Sequence, residues 1–275
     1  MRAKFCPLVL LIFASIAPAQ TSKLEINDPV PEVSKYVMER LNAKDRVLFE
    51  KLSRVSIEAL WSEVVATGFQ QCFINELDPI HPGRRMIGRA RTIRYLPNRP
   101  DLREEIYSKQ KQLNYMSAEE AQPGDVLVFE AGGEIHSSVS GDVVTTKAVY
   151  NGASGVVVDG AMRDVPELSR LPIQAYMRRG HPQTVSPIMM SVDYQVPVRI
   201  TGVTVRPGDI LLGDRHGVLV IPAAIVDKAV DKALEKDGLE NFQRSLILQG
   251  ESLYEVYPAN EKVRQRYEEY KKSRR

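Results

Sequence analysis

Apolar and polar positions alternate in ways that predict an N-terminal helical region followed by a strand-rich core. Apolar residues follow approximately helical spacing over residues 33–49, and a second helix is expected over 56–67, where Ser56 precedes the apolar stripe and can cap it. Residues 86–95 alternate as a half-buried strand does. We therefore expect two helices before the core.

Two Pro-Gly-Asp segments, which begin at Pro123 and Pro207, match each other position for position. Each predicts a turn that leads into a buried strand, which then ends at an acidic residue and a glycine turn. The likeness leaves two interpretations open, a duplicated unit or a similarity that arises from turn chemistry alone. Both interpretations predict two core strands. The polar, helix-prone stretch over 99–120 is expected on the surface.

The segment between those strands carries the strongest pattern. Residues 143–150 predict a helix that ends at Gly152, and residues 155–160 form an apolar run closed by glycine, as in a buried strand. Arg163 and Asp164 follow just past the carboxyl end of that strand, where open α/β sheets bind ligands. The other expected elements are strands at 172–175, 197–203 and 217–221, an amphipathic helix at 223–236 and a charged helix after Pro258.

Composition and charge exclude several classes of protein. The 275 residues are 43% apolar and 26% charged, as in an ordinary globular chain. Lys and Arg number 37 against 35 for Asp and Glu, and the net charge of +2 gives no field that would favour nucleic acid or an acidic membrane surface. We expect neither as a partner.

The first residues have the pattern of a secretory signal. A basic start, a short apolar run and a small-residue triplet predict a signal peptide over 1–19, followed by a linker over 20–32. The apolar run is about a dozen residues, too short for a bilayer core that needs roughly 20. The sequence thus predicts export to the periplasm or medium, and no membrane attachment after cleavage. Cys72 then remains as a single packed cysteine, which excludes an internal disulfide.

Asp142, Arg163 and Asp164 stand in two glycine-bounded turns and form the candidate site. If a helix begins near Val143, its first amides, including that of Val144, offer a seat for a carboxylate. Arg163 adds a planar fork for a carboxylate or enolate oxygen, and a lone carboxylate such as Asp164 suits Mg²⁺ or Mn²⁺. These residues predict a 2-oxo acid site. The other interpretation is a structural salt-bridge cluster, and spacing alone does not choose.

Other chemistry has less support in the sequence. His136, His181 and His216 are scattered without metal-ligand spacing. No serine or cysteine lies in a nucleophile elbow, and no glycine-rich strand-to-helix turn suits a dinucleotide or a nucleotide-like methyl donor.

The pattern of Gly141-Asp142, twenty residues and Arg163-Asp164 resembles the signature of the RraA-like family. That family includes the 4-hydroxy-4-methyl-2-oxoglutarate / 4-carboxy-4-hydroxy-2-oxoadipate aldolases. The resemblance spans about residues 33–255 and leaves 256–275 as a charged tail. It implies an α/β fold, an RraA-like α/β/β sandwich with a swivelling-domain core and flanking terminal helices. It also implies a homotrimer or hexamer with the site near a subunit interface.

The resemblance further implies a role for each candidate residue. Asp164 would bind Mg²⁺ or Mn²⁺, Arg163 would hold the substrate and stabilise a pyruvate enolate, and Gly141 to Val144 would form the substrate loop. Asp142 would orient or activate a water that accepts the C4 hydroxyl proton. The implied activity is metal-dependent (class II) retro-aldol cleavage of a 4-hydroxy-2-oxo acid, with oxaloacetate decarboxylation as a side activity. The alternative is a non-catalytic binding protein like the family's ribonuclease E regulators, which lack the second acid.

Overall fold

The computed structural model describes residues 35–109 and 112–273. The predicted signal peptide (1–19) and linker (20–32) lie outside the described residues, so export stays a prediction. The boundary expected at residue 255 stays a prediction as well. Within the described ranges, no helix is both long and apolar enough to cross a membrane.

The N-terminal region contains three helices: Lys35–Arg40 (α1), Ala43–Arg54 (α2) and Ile57–Ala66 (α3). The expectation of one helix over 33–49 is therefore wrong. Asn42 interrupts it, because its side chain accepts a hydrogen bond from the Asp45 amide and starts α2 as an N-cap. The predicted cap at Ser56 is confirmed, since its hydroxyl accepts from the Ala59 amide at 3.1 Å.

A nine-stranded mixed sheet and a separate hairpin form the core. The strands are Phe73–Ile74 (β1), Asp78–Pro79 (β2), Met86–Pro97 (β3), Asp125–Ser140 (β4), Gly155–Met162 (β5), Gln174–Gly180 (β6), Met189–Tyr194 (β7), Val198–Ile200 (β8), Val203–Val205 (β9), Ile210–Asp214 (β10) and Gly217–Ile221 (β11). The sheet order is β1-β11-β10-β3-β4-β5-β6-β2, with β7 also on β3, while β8 and β9 form the hairpin. β3 to β6 run parallel to one another.

Both Pro-Gly-Asp segments lead into core strands, as predicted. They flank β3 differently, because β4 is parallel to it and β10 is antiparallel. The first strand does not end at its acidic residue, which corrects the sequence prediction. β4 continues to Ser140 through Gly132 and Gly133, whose φ values of 61° and 82° bend it and shift its register with β5. This extension brings the end of β4 level with the end of β5.

Helices cover one face of the sheet and the β8–β9 hairpin covers the other. The remaining helices are Pro100–Tyr107 (α4), Leu113–Glu119 (α5), Asp142–Asn151 (α6), Val165–Leu168 (α7), Val226–Leu248 (α8), Leu253–Val256 (α9) and Glu261–Ser273 (α10). The first three helices and α8 pack over β10 and β11, whereas α5 to α7 pack over β4 to β6. The hairpin packs on the opposite face. The predicted α/β class, with three layers, is confirmed.

Two helical regions differ from the sequence prediction. α5 is not a surface element, because Leu113, Ser117 and Ala118 on its inner side are buried. α8 is much longer than the predicted 223–236. Its second half joins α9 and α10 around a fourth hydrophobic cluster, distinct from those under the sheet, formed by Phe242, Leu246, Val256, Val263 and Tyr267.

Candidate active site

The predicted site residues meet at the carboxyl edge of two neighbouring parallel strands. Ser140 at the end of β4 pairs in register with Met162 at the end of β5. The Arg163 amide also donates to the Ser140 carbonyl at 3.1 Å. Asp142 and Arg163, which are distant in sequence, therefore leave the sheet side by side at the edge where such sheets bind ligands.

α6 begins at the site and points its amino end into it. Asp142 is its first residue and Gly141 is the N-cap, which has no side chain to bond the first-turn amides. Val143, with 76% of its surface exposed, lies in that first turn. Gly152 ends the helix in the left-handed conformation with φ of 98°, as predicted. The open amides and the helix dipole give this end of α6 a partial positive charge.

Gly141 leaves the space in which the Arg163 and Asp164 side chains lie. A Cβ placed on Gly141 would come within 2.6 Å of Asp164 Oδ2 and 2.7 Å of Arg163 Cγ. Its φ of −147° suits any residue, so the requirement is for space and not for backbone freedom. We expected this glycine to let a ligand come close to the backbone. In the structure it lets the Arg163 and Asp164 side chains come close to the backbone.

Arg163 and Asp164 form an ion pair, with Nε donating to Oδ2 at 2.9 Å. Their side chains are 41% and 28% exposed, so both reach solvent. Neither has another side-chain partner among the described residues, which leaves the terminal guanidinium nitrogens and Asp164 Oδ1 for a ligand. Asp164 has left-handed backbone angles (φ 57°, ψ 38°), a conformation that is uncommon outside glycine and is often found at functional sites.

A cavity of about 520 Å³ opens at this pair. Its lining includes Gly141, Asp142, Val143, Val144, Arg163 and Asp164, the complete predicted set. The volume is in the range of sites for small organic ligands. The structure thus brings together every residue that the sequence nominated, while the role of each stays a prediction.

Part of the lining was not predicted. Asn114, Tyr115 and Glu119 reach the cavity from α5, a segment that the sequence placed on the surface. Lys147 reaches it from α6, and its position four residues after Val143 was the available signal. For α5 no local signal existed, because its place over the site depends on how β3 and β4 are connected.

The structure also brings together two histidines that the sequence treated as scattered. The rings of His136 and His181 are 6.2 Å apart between centroids and nearly perpendicular. His181 Nδ1 accepts a hydrogen bond from the Gln183 amide at 3.1 Å. Within the ranges the structure describes, no group of three or more His, Cys, Asp or Glu side chains is arranged to hold a metal ion.

The carboxylate oxygens in the cavity suit a cation that takes few ligands from the protein and keeps water for most of the others. Mg²⁺ prefers oxygen, keeps several waters and takes one or two protein carboxylates. Asp164 Oδ1 is one available oxygen, and the Asp142 carboxylate has no hydrogen-bond or ion-pair partner among the described residues. The site therefore fits Mg²⁺ or Mn²⁺ and lacks the nitrogen and sulfur ligands typical of zinc.

Comparison with known proteins finds one family model and several relatives that this chain resembles. Residues 53–220, more than half of the chain, match the RraA-like model, described as Aldolase/RraA. A Halalkalibacterium halodurans protein named "Putative 4-hydroxy-4-methyl-2-oxoglutarate aldolase" is 31% identical over 171 residues, 62% of this chain and 76% of that protein. DlpA of Legionella pneumophila is 30% identical over 177 residues, 64% of this chain, but the match spans only 28% of DlpA.

A solved structure supports the same assignment. The crystal structure of Streptomyces coelicolor RraAS2, described as an unusual member of the RNase ES inhibitor RraA protein family, superposes with a TM-score of 0.66. The two chains are 29% identical, and the match covers 74% of this chain and 98% of RraAS2. This chain belongs to the RraA-like family.

Proposed function

We propose that this chain is a divalent-metal-dependent lyase that cleaves a 4-hydroxy-2-oxo acid and releases pyruvate. The observation that carries the proposal is the Arg163–Asp164 pair, which lines the cavity with hydrogen-bonding atoms left over for a ligand. Membership of the Aldolase/RraA family and the relative named as an aldolase support the reaction class.

Arg163 and α6 bind the acid end of the substrate in this proposal. The Arg163 guanidinium is held by its Nε bond to Asp164, so its outer edge has a fixed direction for a carboxylate or enolate oxygen. The open amides of Val143 and Val144 add donors at the positive end of the helix. Orientation by several fixed donors lowers the barrier because they need not reorganise during the reaction.

Asp142 handles the proton in this proposal. Its carboxylate, directly or through a water, accepts the proton of the C4 hydroxyl as the C3–C4 bond breaks. The bonding electrons pass toward C2 and give the enolate of pyruvate, whose charge Arg163 stabilises, while C4 leaves as a carbonyl. Return of this proton from Asp142 or its water to C3 completes pyruvate. Loss of CO₂ from oxaloacetate gives the same enolate, so we propose decarboxylation as a side activity.

Asp164 would hold Mg²⁺ or Mn²⁺ through Oδ1 while Oδ2 keeps its bond to Arg163. When bound, the ion would act as a Lewis acid on the 2-oxo group. Asp164 thus serves two purposes, because the same carboxylate also fixes the direction of the arginine.

The test is pyruvate release from 4-hydroxy-4-methyl-2-oxoglutarate and from oxaloacetate by the purified chain. We expect turnover that EDTA abolishes and added Mg²⁺ restores. Calorimetric titration of Mg²⁺ into the chelated protein gives a second readout that needs no activity. Turnover that persists in EDTA would contradict metal dependence, and no turnover on either acid with Mg²⁺ present would contradict the lyase.

A non-catalytic regulator is the second candidate, because RraAS2 matches over nearly its whole length and is described within an inhibitor family. The presence of both Asp142 and Asp164 at the candidate site favours the lyase, because a binding surface needs neither carboxylate. The two proposals separate on the Asp164→Asn variant. It should lose turnover if the chain is a lyase, and should leave partner binding unchanged if the chain is a regulator.

We also propose that the chain forms a homotrimer or hexamer and is exported. Light scattering on the purified protein measures the assembly, and a monomer would contradict the first proposal. N-terminal sequencing after expression in a bacterium with a periplasm tests the second. A mature chain that begins after Ala19 is the expected product, and retention of the first residues would contradict export.

A further inference from the structure

A second cationic side chain lines the candidate cavity and has no place in the proposed reaction. Lys147 lies on α6, and its Nζ is 3.0 Å from Glu119 Oε2 at the end of α5. Nζ also lies 5.4 Å from the centre of the Tyr150 ring. Both members of the ion pair line the cavity, so a lysine-carboxylate contact already exists inside the site.

The helix sets the distance between this lysine and the acid end of the site. Lys147 is five residues after Asp142, which corresponds to about 7.5 Å along the axis of α6. Val143 and Lys147 are four residues apart, so their side chains lie on one face. The two carboxylates of an extended five-carbon diacid are somewhat closer together than this, and the lysine side chain shortens the gap because side chains on a helix lean toward its amino end. A diacid bound by Arg163 and the first-turn amides can therefore reach Lys147 with its other end.

We propose that Lys147 binds the distal carboxylate of a dicarboxylic 2-oxo acid, which displaces Glu119 from the lysine when it enters the cavity. Glu119 then acts as an internal competitor that occupies the lysine in the empty site. The inference deepens the proposed function and rests on it, since it concerns the substrate class of the same cavity. It makes Lys147 a specificity-determining residue that touches the carboxylate on the half of the substrate that leaves with C4.

The exposure of the pair suits such an exchange. The side chains of Lys147 and Glu119 are 38% and 66% exposed, and ion pairs at this exposure add little to stability. A ligand carboxylate held in place by Arg163 at its other end meets Lys147 at a high effective concentration. The Tyr150 ring beside Nζ keeps the ammonium near this position while the carboxylates exchange.

The two members of one ion pair should then have opposite effects on substrate binding. Lys147→Met should raise KM for 4-hydroxy-4-methyl-2-oxoglutarate roughly tenfold with little change in kcat, because the lost charge-assisted contact is equally strong in the bound substrate and in the transition state. Glu119→Gln should lower KM about two- to fivefold, because the competitor is removed. Neither variant should change KM for 4-hydroxy-2-oxopentanoate, which lacks the distal carboxylate.

A matched pair elsewhere serves as control. Lys51 and Asp231 also join two helices, at 2.6 Å and with 37% and 59% exposure, but they do not line the cavity. Lys51→Met and Asp231→Asn should leave both KM values unchanged. If Lys147 and Glu119 form only a structural bridge, their two variants will shift KM in the same direction and on both substrates, and that result would overturn the inference.

A binding measurement separates this inference from the proposed function. Calorimetry with 2-oxoglutarate and with 2-oxobutyrate, both in Mg²⁺, compares ligands with and without the distal carboxylate and requires no turnover. Lys147→Met should weaken 2-oxoglutarate roughly tenfold and leave 2-oxobutyrate unchanged. Equal effects on the two ligands would refute the role of Lys147 while leaving the lyase intact. If the wild type shows no turnover but Lys147→Met still selectively weakens the binding of 2-oxoglutarate, only the lyase would be refuted.

Discussion

Two Arg–Asp pairs in this molecule have nearly the same length and opposite surroundings. Arg91 Nε donates to Asp125 Oδ2 at 2.8 Å, and Arg163 Nε donates to Asp164 Oδ2 at 2.9 Å. The Arg91 and Asp125 side chains are 14% and 10% exposed, whereas those of the second pair are 41% and 28% exposed. Distance alone therefore does not distinguish a structural pair from a candidate functional one.

The difference lies in how many partners each pair has. Arg91 also contacts the Tyr194 hydroxyl, and Asp125 also accepts from the Gln122 amide. Burial by itself lowers the pKa of Arg91, but the hydrogen bonds and charge interactions with Asp125 and Tyr194 together outweigh it, and the pKa is raised. The side chains of Arg163 and Asp164, the cavity pair, have only their mutual bond among the described residues. Hydrogen-bonding capacity that the fold leaves unused is what marks Arg163 and Asp164 for a ligand.

Asp164→Asn should give the largest effect on the cavity pair. Asparagine accepts the left-handed conformation and keeps the shape, but it removes the charge that would hold the metal. We expect kcat/KM to fall by about three orders of magnitude or more, the upper range for one lost electrostatic group. Steady-state pyruvate release measures it, with the melting temperature as the check on folding. Activity near that of the wild type would show that the cavity pair has only a structural role, like the buried Arg91–Asp125 pair.

Arg163→Lys should give the next largest effect on activity. Lysine keeps the charge but loses the planar fork and the Nε bond to Asp164. A decrease in kcat of about 10²- to 10³-fold is expected, comparable to loss of an oxyanion donor. The same substitution at Arg91 is the control, and it should reduce stability without changing kcat of the folded fraction. Equal kcat effects at the two arginines would remove the distinction.

Gly141→Ala tests whether the packing of the cavity pair matters. The new methyl group would lie 2.6 Å from Asp164 Oδ2, so the pair must move by about an ångström. Misplacement on this scale costs on the order of 10²-fold in rate. The backbone conformation of Gly141 suits alanine, so the melting temperature should change little. Wild-type kinetics would show that the site tolerates a displaced pair.

Asp125→Asn should leave catalysis intact and affect only stability. One partner of a largely buried pair is lost, although the amide oxygen can still accept from Gln122. We expect the free energy of unfolding to fall by roughly 2 kcal/mol, below the 3–5 typical of fully buried pairs. Urea denaturation measures this, and specific activity before the transition should match the wild type. Reduced kcat in the folded protein would assign the buried pair a functional part.

Sequence patterns predicted the parts of the site that are local in the chain. The apolar run of β5 is buried along its whole length, α6 ends at its glycine, and Arg163 follows the strand as expected. These features depend on side-chain burial and backbone conformation over fewer than about ten residues, which periodicity and turn chemistry capture.

Features that depend on the path of the chain were not predicted. α5 lacks the strong apolar stripe of a buried helix, yet the crossover between β3 and β4 places it over the cavity with Tyr115 and Glu119 in the lining. His136 and His181 meet only because β4 continues beyond its glycines. Contacts set by a bulge or a crossover have no signature in the spacing of residues along the chain.

The separate hydrophobic cluster of the C-terminal helices has a consequence for how the molecule opens. Phe242, Val263 and Tyr267 pack with one another, and few contacts join α10 to anything other than α8. Regions with their own small core open independently of the larger one. The backbone amides of α10 should therefore exchange with deuterium well before those of β5. Their exchange should report a local opening of the C-terminal helices that does not extend to the cavity.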